Sequence, residues 1–154
     1  SINRGPAGVV NTGKIQWFEP MDRKVGPATG FSVDALDKLP RVDVIYAHAN
    51  MSADLIDAAI KNGAKGLVIA GVGDGNMTTP ALDAVTRAAK SGIVVVRSTR
   101  LASGITLRNN EVNDDEKGLV ASGELNPAKS RVLLQLALTK TNDPVQIQRM
   151  FYEY

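Results

Sequence analysis

Three apolar, β-branched runs, at residues 42–47, 66–70 and 93–96, recur along this chain with one amphipathic helical pattern between each pair. Near-continuous apolar runs of this length mark strands buried on both faces, which occur in parallel sheets covered by helices. Residues 53–62 supply the first such helix: they follow Ser52 as a cap, carry Ile56, Ala59 and Ile60 on one face, and stop at Gly63. Residues 80–91 supply the second, with Thr79 as N-cap, Pro80 at the first helical position, Leu82, Val85 and Ala89 inward, and Gly92 as the stop. Strands alternating with helices predict an α/β fold, an open parallel sheet with right-handed crossovers and flanking helices. The strand order is left open.

Two more helices open on a capping residue before proline, at Asn126-Pro127 and Asp143-Pro144. Residues 128–140 are apolar around much of their circumference (Val132, Leu133, Leu134, Leu136, Ala137, Leu138), so that helix lies deep in the domain or at a subunit interface. The last helix sets Ile147, Met150, Phe151 and Tyr154 on one packing face.

The first 41 residues differ. Val9–Val10, the turn Asn11-Thr12-Gly13 and residues 14–18 read as a hairpin, with Gly13 suited to the left-handed turn position. A lone hairpin is marginal in water, so it either folds on the main domain or, the preferred reading, closes an upstream domain. Residues 19–41 hold Pro20, Gly26, Pro27, Gly30 and Pro40 and read as a linker, with a helical turn expected at 33–39. The chain starts at Ser1 without methionine and reads as a piece of a longer protein.

Composition narrows the function classes. A net charge of +2, scattered basic residues and only one Trp, three Tyr and three Phe argue against nucleic acid. The absence of cysteine excludes disulfides, thiolate metal sites and a Cys nucleophile. No apolar run approaches the about 20 residues that cross a bilayer.

If the strands are parallel, the loops 48–52, 71–79 and 97–118 share the sheet's carboxyl edge, where α/β proteins bind ligands. The second carries the run GLVIAGVGDGN, whose glycines Gly71, Gly73 and Gly75 allow a sharp turn and close approach before Asn76. As a dinucleotide fingerprint it lacks the third glycine, and the next strand ends in Arg97 rather than a ribose-binding acid. In the long third loop, Ser98 and Thr99 are expected to bind backbone groups, and Ile105 and Leu107 to tack the loop to the core. Asp114, Asp115 and Glu116 read as a solvated face, and their spacing fails the EF-hand pattern. His48, the single histidine, reads as a surface or capping residue, and no Ser-His-Asp set is evident. Asn76 and Glu111 can converge, an amide and a carboxylate that suit a ligand bearing an ammonium and a polar head. They make no catalytic engine. A stand-alone nucleotide- or sugar-binding module and a structural oligomerisation module are the competing readings.

These segments together resemble the C-terminal half of the bacterial type II L-asparaginases, a family that includes glutaminase-asparaginases. The similarity runs through RGPAGVVNTGKI, FSVDALDKLPRVDVIYAHAN, GLVIAGVGDGN, VVVRSTR, GLVASGELNPAKSRVLLQLALTKT and DPVQIQRMFYEY. The resemblance implies two α/β domains, with residues 1–18 ending the N-terminal one, 19–41 linking, and 42–154 forming the C-terminal one. It implies a periplasmic homotetramer whose active sites lie between subunits, and hydrolysis of the side-chain amide of asparagine, and more variably glutamine, to the acid and ammonia. The nucleophilic threonine and a Thr-Asp-Lys cluster would lie in the N-terminal part, so no catalytic residue is expected here, and neither cofactor nor metal is implied. Asn76 matches the family asparagine that reaches the substrate's α-amino side in a neighbouring subunit. Glu111 matches the glutamate that holds the substrate ammonium and the mobile lid. Serine stands at the Asn76 position in some glutaminase-leaning members, so the amide favours asparagine. Asp74 stands where other members often have asparagine and is given no role.

Overall fold

The computed structural model describes residues 5–11, 14–17 and 24–154. Strands β1 (Gly8–Asn11) and β2 (Lys14–Trp17) pair antiparallel, with Gly8 opposite Trp17 and Asn11 opposite Lys14. Asn11, expected in the turn, is thus the last strand residue; the expectations for Gly13 and Phe18 lie outside the described residues.

The main sheet holds β3 (Val42–Tyr46), β4 (Gly66–Gly71), β5 (Val94–Thr99) and β6 (Val120–Ala121), all parallel and in sequence order. Pairing sets Val42 beside Gly66, Gly66 beside Val94, and Val96 beside Val120. Helices α1 (Asp54–Lys61) and α2 (Thr79–Lys90) make the first two crossovers. Because every step runs in one direction, right-handed connection puts both on the same face. There Leu67, Ile69 and Val95 pack against Ile56, Ala59, Ala81, Ala84, Val85 and Ala88. The alternate residues Val68, Val94, Val96 and Val120 turn to the other face and meet Leu133, Leu134, Ala137, Ile147 and Phe151. Those come from α4 (Pro127–Ala137) and α5 (Pro144–Glu153), which follow the short α3 (Asp114–Lys117).

The local chemistry departs from expectation at several places. Helix α1 begins after Ala53, and the Ser52 hydroxyl accepts from the Asp54 N–H at 3.4 Å, one residue inside the expected start. Helix α2 takes Thr78, not Thr79, as its N-cap; the Thr78 hydroxyl donates to the Met51 carbonyl at 2.7 Å and joins two loops. One face of α4 lies in the core, where Leu134 is fully buried, and Val132 on another face is exposed. Within 33–39 only residues 33–36 form a turn, with the Leu36 N–H on the Val33 carbonyl, and the helical segment is instead a 3-10 turn at Gly26–Thr29. That stretch lies on α5: Tyr154 Oη donates to the Thr29 carbonyl at 2.8 Å, and the Phe31 and Tyr154 rings stand 5.3 Å apart. No described helix is long and apolar enough to cross a membrane.

Candidate active-site edge

With strands added in one direction, the sheet has no reversal of strand order to open a crevice. Its carboxyl edge is built instead by two loops, 71–78 after β4 and 100–113 after β5.

The glycine loop is a closed hairpin. The Val72 N–H donates to the Asn76 carbonyl and the Asn76 N–H to the Val72 carbonyl, both at 2.8 Å. The closure explains two of the glycines. A Cβ on Gly71 would stand 2.4 Å from the Gly75 carbonyl carbon, inside any real contact. Gly75 has φ +75° and lies against the Thr106 methyl and the Arg97 side chain, so a side chain there is both strained and crowded. The hairpin pairs the Val72 and Asn76 amides internally and sets the Asp74 carboxylate at its tip, where it would repel a phosphate. Nucleotide binding gains no support.

Strand β5 runs past its expected end at residue 96 and takes Arg97, Ser98 and Thr99 into the buried sheet. Arg97 has no exposed surface, and every donor group of its guanidinium is engaged. Nε and Nη2 donate to Asp114 at 2.6 and 2.8 Å, Nη1 to the Asp74 carbonyl at 2.8 Å, and Nη2 also to the Leu107 carbonyl at 3.0 Å. The expectation of a solvated face at 114–116 is therefore corrected. Asp115 and Glu116 are exposed, but Asp114 is fully buried because it neutralises Arg97. Its Oδ2 also accepts from the Asn109 N–H at 2.9 Å.

The long loop is ordered by polar bonds, with Ser98 Oγ on the Leu125 carbonyl and Thr99 Oγ1 accepting from the Leu101 N–H. Ile105 and Leu107, expected to anchor it, are 44% and 47% exposed. Thr106 between them bridges Gly123 through both backbone groups and is buried, and extended geometry turns its neighbours outward. Arg108 reaches back to the Leu119 carbonyl, Gln148 Oε1 and Asp115. The Asn109 amide, then Arg108, hold the Asp115 carboxyl below its ordinary value.

On this framework Asn76 and Glu111 meet. Asn76 Nδ2 donates to Glu111 Oε2 at 3.2 Å, and Asn76 Oδ1 accepts from the Met77 N–H at 2.8 Å, which fixes the amide's orientation. His48 stays apart, exposed, with Nδ1 on the Ala49 carbonyl at 2.8 Å. An amide and a carboxylate oxygen on this edge can bind an ammonium and an adjacent polar group. Among the residues described on this edge no nucleophile stands beside a base. Sequence reasoning missed Arg97, Asp114 and Asp74 as site framework. The signal for Arg97 was its place directly after three valines, where a cation inside a buried strand needs a partner.

Residues 41–151 match the family described as the Glutaminase/Asparaginase C-terminal domain. The chain is 47% identical over 154 residues to L-asparaginase 2 of Escherichia coli (strain K12), covering all of this chain and 44% of that protein. It is 45% identical over 154 residues to the probable periplasmic L-asparaginase of Haemophilus influenzae, again all of this chain and 44% of the relative. With the glutaminase-asparaginase of Pseudomonas fluorescens biotype A it shares 36% over 151 residues, 97% of this chain and 42% of the relative. The chain spans less than half the length of these relatives. With the family model covering most of the chain, these matches show that the chain belongs to the glutaminase/asparaginase C-terminal domain family.

Proposed function

We propose that this chain is the substrate-binding C-terminal part of an amidohydrolase that converts L-asparagine, and more variably L-glutamine, to the acid and ammonia. Asn76 and Glu111 receive the α-ammonium side of the amino acid, the carboxylate by charge and the amide by hydrogen bonding. The nucleophile comes from an N-terminal part of the enzyme, so this chain alone is inactive. Residues 1–18 end that N-terminal domain, residues 19–41 link it to the C-terminal domain 42–154, and the assembly is a periplasmic homotetramer with sites built between subunits.

The observation that carries this reading is the 3.2 Å contact between Asn76 and Glu111 in a chain of this family. The outward-facing Leu101, Ile105 and Leu107 on the loop that carries Glu111 support an edge covered by another part of the assembly. The periplasmic assignment draws on the H. influenzae relative's name. Steady-state kinetics of the complete enzyme test the site: Asn76→Ala and Glu111→Ala should each raise the KM for L-asparagine about tenfold or more. Unchanged kinetics in both would remove the assignment.

A further inference from the structure

The Asn76–Glu111 hydrogen bond cannot by itself preserve the geometry of the site. It is one 3.2 Å contact between side chains on two different loops, so the pair needs a further support that the ligand does not touch. Asp74 is placed to be that support. Its Oδ1 accepts from the Leu107 N–H at 2.6 Å, and its Oδ2 accepts from Asn110 Nδ2 at 2.7 Å. Both donors belong to the long loop, and Asn110 directly precedes Glu111. Asp74 itself stands two residues before Asn76, and its carbonyl is held from beneath by Arg97 Nη1 at 2.8 Å. The carboxylate thus staples the loop of one substrate contact to the loop of the other.

We propose that Asp74 is a positioning residue that sets the separation of Asn76 and Glu111 for the substrate's ammonium group. The proposal rests on the reading that those two residues contact substrate. The side chain must make two hydrogen bonds at once, because the long loop brings the Leu107 N–H and the Asn110 amide to one place. An ionised carboxylate makes the stronger, shorter bonds of a charged acceptor. Loss of the staple lets the Glu111 loop drift while Arg97 and Asp114 keep the hairpin and α3 in place, so the damage falls on binding rather than on the fold. Small displacements of this kind are enough to weaken a binding geometry severely.

The test is kinetics of the complete enzyme with L-asparagine. Asp74→Ala should raise KM about tenfold and leave kcat within about twofold, the pattern of lost binding common to ground and transition states. Asp74→Asn should recover most of the loss, since its amide oxygen can take the Leu107 N–H and a rotated Asn110 can accept from its NH2. Asn110→Ala removes one limb of the staple and should give an intermediate rise, and it serves as the second variant if Asp74→Ala does not assemble. In a Glu111→Ala background, Asp74→Ala should add less than about twofold, because the residue it positions is gone. A full, multiplied effect in that background, or a fall in kcat with KM unchanged, overturns the proposal. If Glu111→Ala and Asn76→Ala raise KM while Asp74→Ala does not, the positioning role alone is wrong. If neither Glu111→Ala nor Asn76→Ala moves KM, the functional reading falls and the positioning role with it.

Discussion

Arg97 and Asp114 form a two-pronged ion pair with no solvent exposure, joining the end of β5 to the start of α3. Burial makes both charges costly, and the geometry offsets that cost by filling their remaining bonds with the Asp74 and Leu107 carbonyls and the Asn109 N–H. The pair is therefore the fixed base on which both site loops stand.

Removing one partner leaves the other buried and unpaired. Arg97→Met and Asp114→Asn should each destabilise the protein by about 3–5 kcal/mol in chemical denaturation. Arg97→Lys should rescue little, because an ammonium cannot fork onto Asp114 and the loop carbonyls together. A loss under about 1 kcal/mol for Arg97→Met would show that the pair does not hold these loops.

The hairpin closure predicts a steric effect at Gly71. A methyl group there meets the Gly75 carbonyl carbon at 2.4 Å and the Asn76 carbonyl oxygen at 2.6 Å. Gly71→Ala should cost about 1–3 kcal/mol, as overpacking does. It should also raise KM for L-asparagine by displacing Asn76. Wild-type melting temperature and KM in this variant would contradict the closed hairpin.

Gln148 completes the outer edge of the two-residue strand β6. Its Oε1 accepts from the Ala121 N–H at 2.8 Å and its Nε2 donates to the Ala121 carbonyl at 3.1 Å, while Arg108 Nη1 donates to the same Oε1 at 2.7 Å. Gln148→Leu keeps the bulk and orphans these groups, at about 1–3 kcal/mol for each buried one left unpaired. Gln148→Glu keeps the acceptor oxygen but sets a second carboxylate oxygen against the Ala121 carbonyl, so it should also lower the unfolding midpoint. Equal unfolding midpoints for Gln148→Leu and wild type would contradict this edge role.

Asp115 predicts a pH-dependent contribution. Its folded-state value is lowered by the Asn109 amide and by Arg108, so the bonds stabilise the ionised form. Their contribution is fully present above the ordinary carboxylate value of about 4 and is lost as pH falls below it. The stability difference between wild type and Asp115→Asn should be constant from neutral pH to about 5 and shrink at lower pH. A difference that grows on acidification would reverse the assigned sign.

The layers of the fold were legible because burial imposes its pattern on sequence. Val68 and Val96 turn to one face while Leu67, Ile69 and Val95 turn to the other, and the runs read as doubly buried strands. Asn76 and Glu111 were legible as partners because parallel strands bring their loops to one edge. The charged framework was not. Asp114 looks the same as Asp115 and Glu116 in the sequence, and only the fold decides which of three adjacent acids faces a buried arginine. The exposed Ile105 and Leu107 failed as anchors because the Thr106–Gly123 bridge set the alternation of that segment, and composition carries no trace of such a pairing.

Subunit complementation of the complete enzyme tests the central claim, that Asn76 and Glu111 serve a site whose nucleophile belongs to another subunit. One variant lacks the nucleophilic threonine of the N-terminal part; the other carries Asn76→Ala and Glu111→Ala. Co-assembly should restore ammonia release at low L-asparagine, because some mixed sites combine the intact half of each variant. Activity no higher than the sum of the separate variants, in assemblies shown to be mixed, would contradict it.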